Sequence, residues 1–147
     1  MSDAFVTPEE PTAAAAVEAI GDELAVFDDW MDRYQFIIEL GRKLPPFPEP
    51  WMNDTHRVPG CQSRVWMEGA LRDGKLFLAG VSDAAIVSGL IALLLRVYSG
   101  RPPEEIVATD PVFLKELGLL EALSTNRGNG VAAMARKIRE LAALQSA

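Results

Sequence analysis

The chain has one cysteine, Cys61, and one histidine, His56, and they lie five residues apart. Between them runs Val58-Pro59-Gly60-Cys61, with Pro and Gly at the two central places of a four-residue turn. That order specifies a type II turn, because proline presets the first φ and glycine takes the positive second φ at no steric cost. Such a turn presents Cys61 just ahead of the segment through Val65. A thiol on a tight turn beside a sheet suits nucleophilic sulfur chemistry, and it equally suits the common role of a small buried hydrophobe. Composition and spacing leave these two readings level. His56 offers a partner for a Cys–His nucleophile, against the plainer reading of a turn histidine.

Other chemistries find no support. There is no cysteine pair, no HExxH, no glycine-rich loop following a strand and no catalytic-serine motif. The expectation is no metal and no cofactor of the chain's own. A single cysteine forms no internal disulfide, which fits a reducing compartment and a cytoplasmic setting. The N-terminal residues carry acids and Pro8 rather than a basic region, unlike a secretory signal. The longest apolar stretch, Ala84 to Leu95, is broken by Ser88 and Gly89 and falls short of the ~20 residues that cross a bilayer. A net charge of −7 with no basic run disfavours nucleic acid and anionic membranes, and leaves a protein partner with a basic face.

The elements that must position Cys61 follow from periodicity. The 147 residues fit one domain. Residues 1–12, poor in apolar side chains and holding Pro8 and Pro11, read as a disordered lead-in, and 13–147 as the single domain. Val17, Ile20, Leu24 and Phe27 mark a helix over about Ala13 to Phe27. Asp28 or Asp29 caps a second helix that the Pro45–Pro50 stretch ends. Val65, Met67 and Leu71 alternate with Trp66, Glu68 and Arg72 as a half-buried strand, and Asp73-Gly74 turns it into a returning strand over Lys75 to Val81. A third strand is expected near Thr55 to Val58. Ser82 or Asp83 caps a helix over Ala84 to Tyr98 that is apolar nearly all round and so belongs against the sheet. A short helical turn at Glu104 to Val107, a helix start at Pro111, a polar loop over Leu123 to Gly130 and a last helix over Val131 to Leu144 complete the chain. Helices, then an antiparallel hairpin, then helices give an α+β layer fold: a three-stranded antiparallel sheet packed with helices.

Four stretches resemble one family. Gly60-Cys61-Gln62-Ser63-Arg64-Val65-Trp66 resembles the GCQSxVW signature around the reactive cysteine of SufE-type proteins. Tyr34 to Gly41 resembles its YxxIIELG helix, and Ser82 to Ala92 its SDAAIVxGLIA stretch. Asn126-Arg127-Gly128-Asn129-Gly130-Val131 with Met134 resembles SRxxGLxxM, although Asn126 and Gly128 depart from it. The resemblance runs from about Glu18 to the last helix.

This resemblance implies a sulfur carrier rather than a turnover enzyme. Its members take persulfide sulfur from a pyridoxal-phosphate cysteine desulfurase (SufS- or CsdA-like), stimulate that enzyme and pass the sulfur to iron–sulfur assembly on a SufBCD-like scaffold. The pyridoxal phosphate belongs to the partner. The implied fold is a three-stranded antiparallel sheet with helices, shared with IscU-type scaffolds. Cys61 is the implied acceptor, and Gly60, Gln62, Ser63, Asp83 and Arg127 are the implied loop supports or partner contacts. His56 receives no role from it.

The lone thiol suits a carrier, since a second cysteine would resolve the persulfide and release its sulfur. It does not suit a cluster scaffold, which needs several ligands. An ordinary thiol, with a pKa of about 8.5, is mostly protonated at neutral pH, and burial would keep it so. Docking is therefore expected to expose and activate Cys61, the Pro59-Gly60 turn being the element that moves. The competing functions are a thiol-dependent or peroxide-reactive enzyme, and an adaptor with an inert thiol. The absence of a resolving cysteine and of a supported general base weighs against the first of these.

Overall fold

The structure, a computed structural model, describes residues 4–58, 63–118 and 125–146, with the side chains of 125–129 and 146 outside that description. Its elements are α1 (Ala13–Ala25), α2 (Trp30–Arg42), a 3-10 turn (Glu49–Trp51), β1 (Val65–Arg72), β2 (Lys75–Ser82), α3 (Ala85–Tyr98), α4 (Pro103–Ala108), α5 (Phe113–Glu116) and α6 (Thr125–Ser146). Among the described residues the arrangement is α+β, with six helices and one antiparallel hairpin.

β1 and β2 pair in register from Val65↔Ser82 to Arg72↔Lys75. The turn between them is the one that Asp-Gly predicts: Asp73 and Gly74 take φ of 51° and 78°. Val65, Met67, Leu76 and Leu78 face the main core beneath the helices, while Trp66, Ala70, Phe77 and Val81 pack on a second cluster with Phe5 and Phe47. The hairpin is thus covered on both faces. Leu71, expected on the core face, is instead 49% exposed at the turn end.

The third strand does not form. Thr55–Val58 contributes a single bridge, Arg57↔Trp66, with Val58 N–H donating to Val65 O at 2.9 Å and Met67 N–H to His56 O at 3.0 Å. A ladder stops there because the preceding backbone is engaged in a turn: His56 N–H donates to Asn53 O and Arg57 N–H to Asp54 O. Among the described residues, the sheet therefore has two strands, each flanked by one isolated bridge, Arg57↔Trp66 on β1 and Leu76↔Arg101 on β2.

α3 explains itself by composition. All of it but Ala85, Ala92 and Arg96 is buried. Its closest neighbour is α2, and the contact runs through glycine. A Cβ on Gly41 would lie 2.5 Å from Gly89 N, and one on Gly89 would collide with the Ile37 carbonyl. The two helix backbones approach where neither carries a side chain.

The N-terminal segment is not a loose lead-in from Ala4 onward. Phe5 is buried, Val6 N–H donates to Leu78 O at 2.9 Å, and Ser99 Oγ donates to Val6 O at 2.6 Å. Arg101 donates through Nη1 to Glu10 O at 2.6 Å, and through Nε and Nη2 to Val97 O and Arg96 O at the end of α3. One buried guanidinium thereby satisfies helix-end carbonyls and ties down residues 4–12. Few apolar side chains were needed, because the segment is held by one main-chain bond to β2 and by the Ser99 and Arg101 side chains.

α6 begins at Thr125 rather than Val131. Asn126, Gly128, Asn129 and Gly130 are weak helix formers, yet each costs at most about 1 kcal/mol. The buried row Val131, Met134, Ala135, Ile138 and Ala142 anchors the helix against the core. Residues 119–124, the start of the expected loop included, lie outside the described residues. Among the described residues no helix is long and apolar enough to cross a membrane.

Candidate functional site

Cys61, Gly60 and Gln62, together with the Pro59-Gly60 turn, lie outside the described residues. What the structure shows is how the two ends of that loop are held. On the incoming side, Val58 is buried and joined to Val65 through the 2.9 Å bond. Residues 58 and 65 are therefore neighbours, and the six residues between them, Cys61 included, form a short span.

The outgoing side is held by the corner between β2 and α3. Arg64 N–H donates to Asp83 Oδ1 at 3.0 Å, while Arg64 O accepts from Asp83 N–H at 3.2 Å and from Ser82 Oγ at 2.7 Å. The Arg64 guanidinium also lies 3.7 Å from Asp83 Oδ2, an exposed pair. Ser82 in turn is fixed by Ser88, whose Oγ accepts from Ser82 N–H and donates to Ser82 O, both at 3.1 Å. The Ser82-Asp83 stretch was expected to cap α3 with a side chain. The residue at the cap position is Ala84, without a side-chain bond of its own, because Asp83 is spent on Arg64. Ser82 Oγ still accepts from Ala84 N–H at 3.2 Å. Asp83 is thus bonded to Arg64, two residues after Gln62. Ser63 is half-buried at the loop's exit.

His56 is not a free base. Its Nε2 lies 2.5 Å from Glu68 Oε2 on β1 and its Nδ1 2.9 Å from Asn53 Oδ1. Trp51 stacks on the ring at 6.2 Å between centroids. Both ring nitrogens thus face described partners, Glu68 and Asn53, while Cys61 lies outside the described residues. Glu68, Asn53 and Ser88 entered no sequence-based site. Only the three-dimensional closure of the loop stems gives them a role, and no spacing rule signals it.

Arg127 falls in the first turn of α6, within the helix rather than ahead of it. Its side chain lies outside the described residues. Trp66 packs against the second core cluster, while Trp30 stays 39% exposed with the Arg33 guanidinium over its ring. Among the described residues, no three His, Cys, Asp or Glu side chains gather as a metal site would require.

Comparison with known proteins agrees with the motifs. The family described as "SufE: Fe-S metabolism associated domain" matches residues 18–142. An uncharacterized SufE-like protein of Rhizobium etli is 40% identical over 138 residues, covering 90% of this chain and 93% of that protein. Another from Rhizobium meliloti is 40% identical over 129 residues, covering 84% and 92%. The solution structure of a hypothetical protein from Thermus thermophilus shares the fold, with a TM-score of 0.72 at 22% identity, over 86% of this chain and 93% of that one. With its family profile spanning nearly the whole folded part and its signature residues in order, the chain belongs to the SufE family, a family associated with Fe–S metabolism.

Proposed function

We propose that the protein is a cytoplasmic sulfur acceptor and carrier. Cys61 takes persulfide sulfur from a pyridoxal-phosphate cysteine desulfurase, and the protein stimulates that enzyme and hands the sulfur to iron–sulfur assembly. The observation that carries the reading is a lone cysteine inside a short loop whose two stems are tied to each other and to the β2–α3 corner.

The step needs little else. The Cys61 thiolate attacks the terminal sulfur of the donor's persulfide, a new S–S bond forms at Cys61, and the donor's S–S bond breaks with its cysteine leaving as thiolate. No electron acceptor is consumed. The chain then carries the sulfur without a second thiol to discharge it as a disulfide. Gly60, Gln62, Ser63 and Asp83 shape or support the loop, and Arg127 contributes to the partner surface. The chain has no turnover of its own in this role, and the pyridoxal phosphate stays with the partner.

Intact-mass measurement after incubation with desulfurase, pyridoxal phosphate and cysteine tests the reading. Added sulfur, removed by reductant and absent in Cys61→Ser, is the expected result. No added mass with desulfurases of both the SufS and CsdA types would overturn it.

A further inference from the structure

Two of the exposed large apolar side chains, Val107 at the end of α4 and Val112 just ahead of α5, line one groove of about 650 Å³. Single exposed apolar residues are ordinary, whereas a pair that walls a groove marks a contact surface. The other wall is one stripe of α6, Ala132, Arg136, Arg139 and Ala143, at helical spacing. The stripe runs about 16 Å, or about three turns. Alanine at both of its ends keeps that wall low, so a further helix can pack along it, ridge into groove.

The groove also has a sign. Lys115, Arg136 and Arg139 all line it, and among the described residues none of the three is in an ion pair. Arg139 donates through Nη2 to Val107 O at 2.9 Å, tying α6 to α4, while its Nε is buried without a hydrogen-bond partner among the described residues. A neutral carbonyl does not balance a guanidinium charge, so an anion brought to the groove is favoured. Two carboxylates line the groove as well. Asp110 is engaged in the turn before α5, its Oδ1 accepting from Val112 N–H at 3.0 Å, and Glu140 is exposed beside the stripe. Three cations against these two acids leave the groove positive on a chain whose net charge is −7.

We propose that the groove between α6 and the Val107–Lys115 stretch docks a short acidic amphipathic helix of a partner protein. Its apolar side chains rest on Val112 and Leu114, and its carboxylates face Lys115 and Arg136. A second copy of this chain is a poor occupant, because a two-fold contact would set the same cations against each other. The acidic remainder of the surface repels such a helix, so charge directs it to this groove. The inference is independent of the reading of Cys61.

The probe is a fluorescein-labelled synthetic peptide of about three turns, stapled on its outer face to hold it helical. It carries leucine at i, i+4 and i+7 with glutamate beside them, and a twin carries lysine in place of glutamate. Both are titrated with the full chain to about 1 mM, with amide shifts and anisotropy as readouts. The acidic peptide should shift amides within 107–115 and 132–143, bind about tenfold more tightly than its twin, and weaken with added salt. Lys115 and Arg136 are exposed, so the double variant Lys115→Glu/Arg136→Glu alters charge without touching the core. It should bind the acidic peptide about tenfold more weakly and accept the lysine twin instead. Equal binding of the two peptides, shifts confined to another face, or no shift at about 1 mM would overturn the proposal. A concentration-dependent dimer in sedimentation velocity that Val112→Glu abolishes would give the groove to a second copy, and would overturn it too.

Discussion

Asp83 holds the Arg64 peptide from both sides, its carboxylate accepting the Arg64 N–H at 3.0 Å and its own N–H reaching Arg64 O at 3.2 Å. The residue after Ser63 is thereby fixed to the start of α3, so one end of the Cys61 loop moves only if the β2–α3 corner lets go. Asp83→Ala removes the carboxylate bond and leaves the main-chain bond in place. The expected cost is about 1 kcal/mol, because the group is half-exposed and water replaces its partner. Asp83→Asn keeps an acceptor and should lie near the wild type. Urea denaturation measures the cost, and hydrogen exchange at Arg64 should quicken in the alanine variant alone. Equal exchange in all three proteins would mean that the carboxylate does not hold the loop.

Gly41 and Gly89 give two of the family motifs a physical reason. Each sits where the other helix's backbone passes, and a methyl group there meets main chain rather than a yielding side chain. Overpacking of that kind costs about 3 kcal/mol or more, so Gly89→Ala is expected to lower the unfolding free energy by at least that much. Gly74→Ala is the useful contrast. It has open space around it but a φ of 78°, and should cost only about 1–2 kcal/mol. If Gly89→Ala proved as mild as Gly74→Ala, the helices would be shown to separate without penalty.

Arg127→Ala tests the proposed contact with the desulfurase. Arg127 lies in the first turn of α6, upstream of the buried row from Val131 that anchors the helix. Its removal is expected to leave the melting temperature within about 2 °C of the wild type, a change of at most ~0.5 kcal/mol. Stimulation of the desulfurase should fall. Unchanged stimulation with a competent donor would remove Arg127 from the partner surface.

The hairpin and the helices were legible because each rests on local rules. Asp73-Gly74 dictates its turn, and the apolar run of α3 dictates burial. The docked N-terminal segment was not legible, since its hold comes from Arg96, Ser99 and Arg101, far along the chain. The missing third strand has the same origin: Thr55–Val58 has strand composition, but Asn53 and Asp54 draw its backbone into a turn. At the candidate site, the motifs point to Cys61, which lies outside the described residues, and to Asp83, whose bonds to Arg64 the structure describes. Glu68 reads in sequence only as an outward strand residue, and its pairing with His56 depends on a bridge that no local pattern encodes.

Arg96 carries the stability that pH should reveal. Its guanidinium bonds Glu10 at 2.7 Å and Glu23 at 2.6 Å, with Glu9 at 3.3 Å, and its side chain is only 13% exposed. The Arg96 hydrogen bond, aided by the charges of Arg96 and Arg101 and opposed by burial, holds the Glu10 carboxyl below the usual glutamate range. A carboxyl with a depressed folded value stabilises the fold fully above its unfolded value, and that contribution is lost as pH falls through the folded one. The wild type should therefore lose stability as pH drops from about 5 into the range below ordinary glutamates. Glu10→Gln should lack the Glu10 share of that loss, being less stable at neutral pH and flatter below it. Arg96→Ala leaves the Glu10 carboxylate without its hydrogen-bonded cation, the charge of Arg101 still nearby, and should cost about 3 kcal/mol at neutral pH, less at low pH once the carboxyl is protonated. Urea titrations at neutral pH and near pH 3 decide the matter. Parallel curves for wild type and Glu10→Gln would show that the docked N-terminal segment is held by Arg101 and the main chain, and that the carboxylate adds nothing.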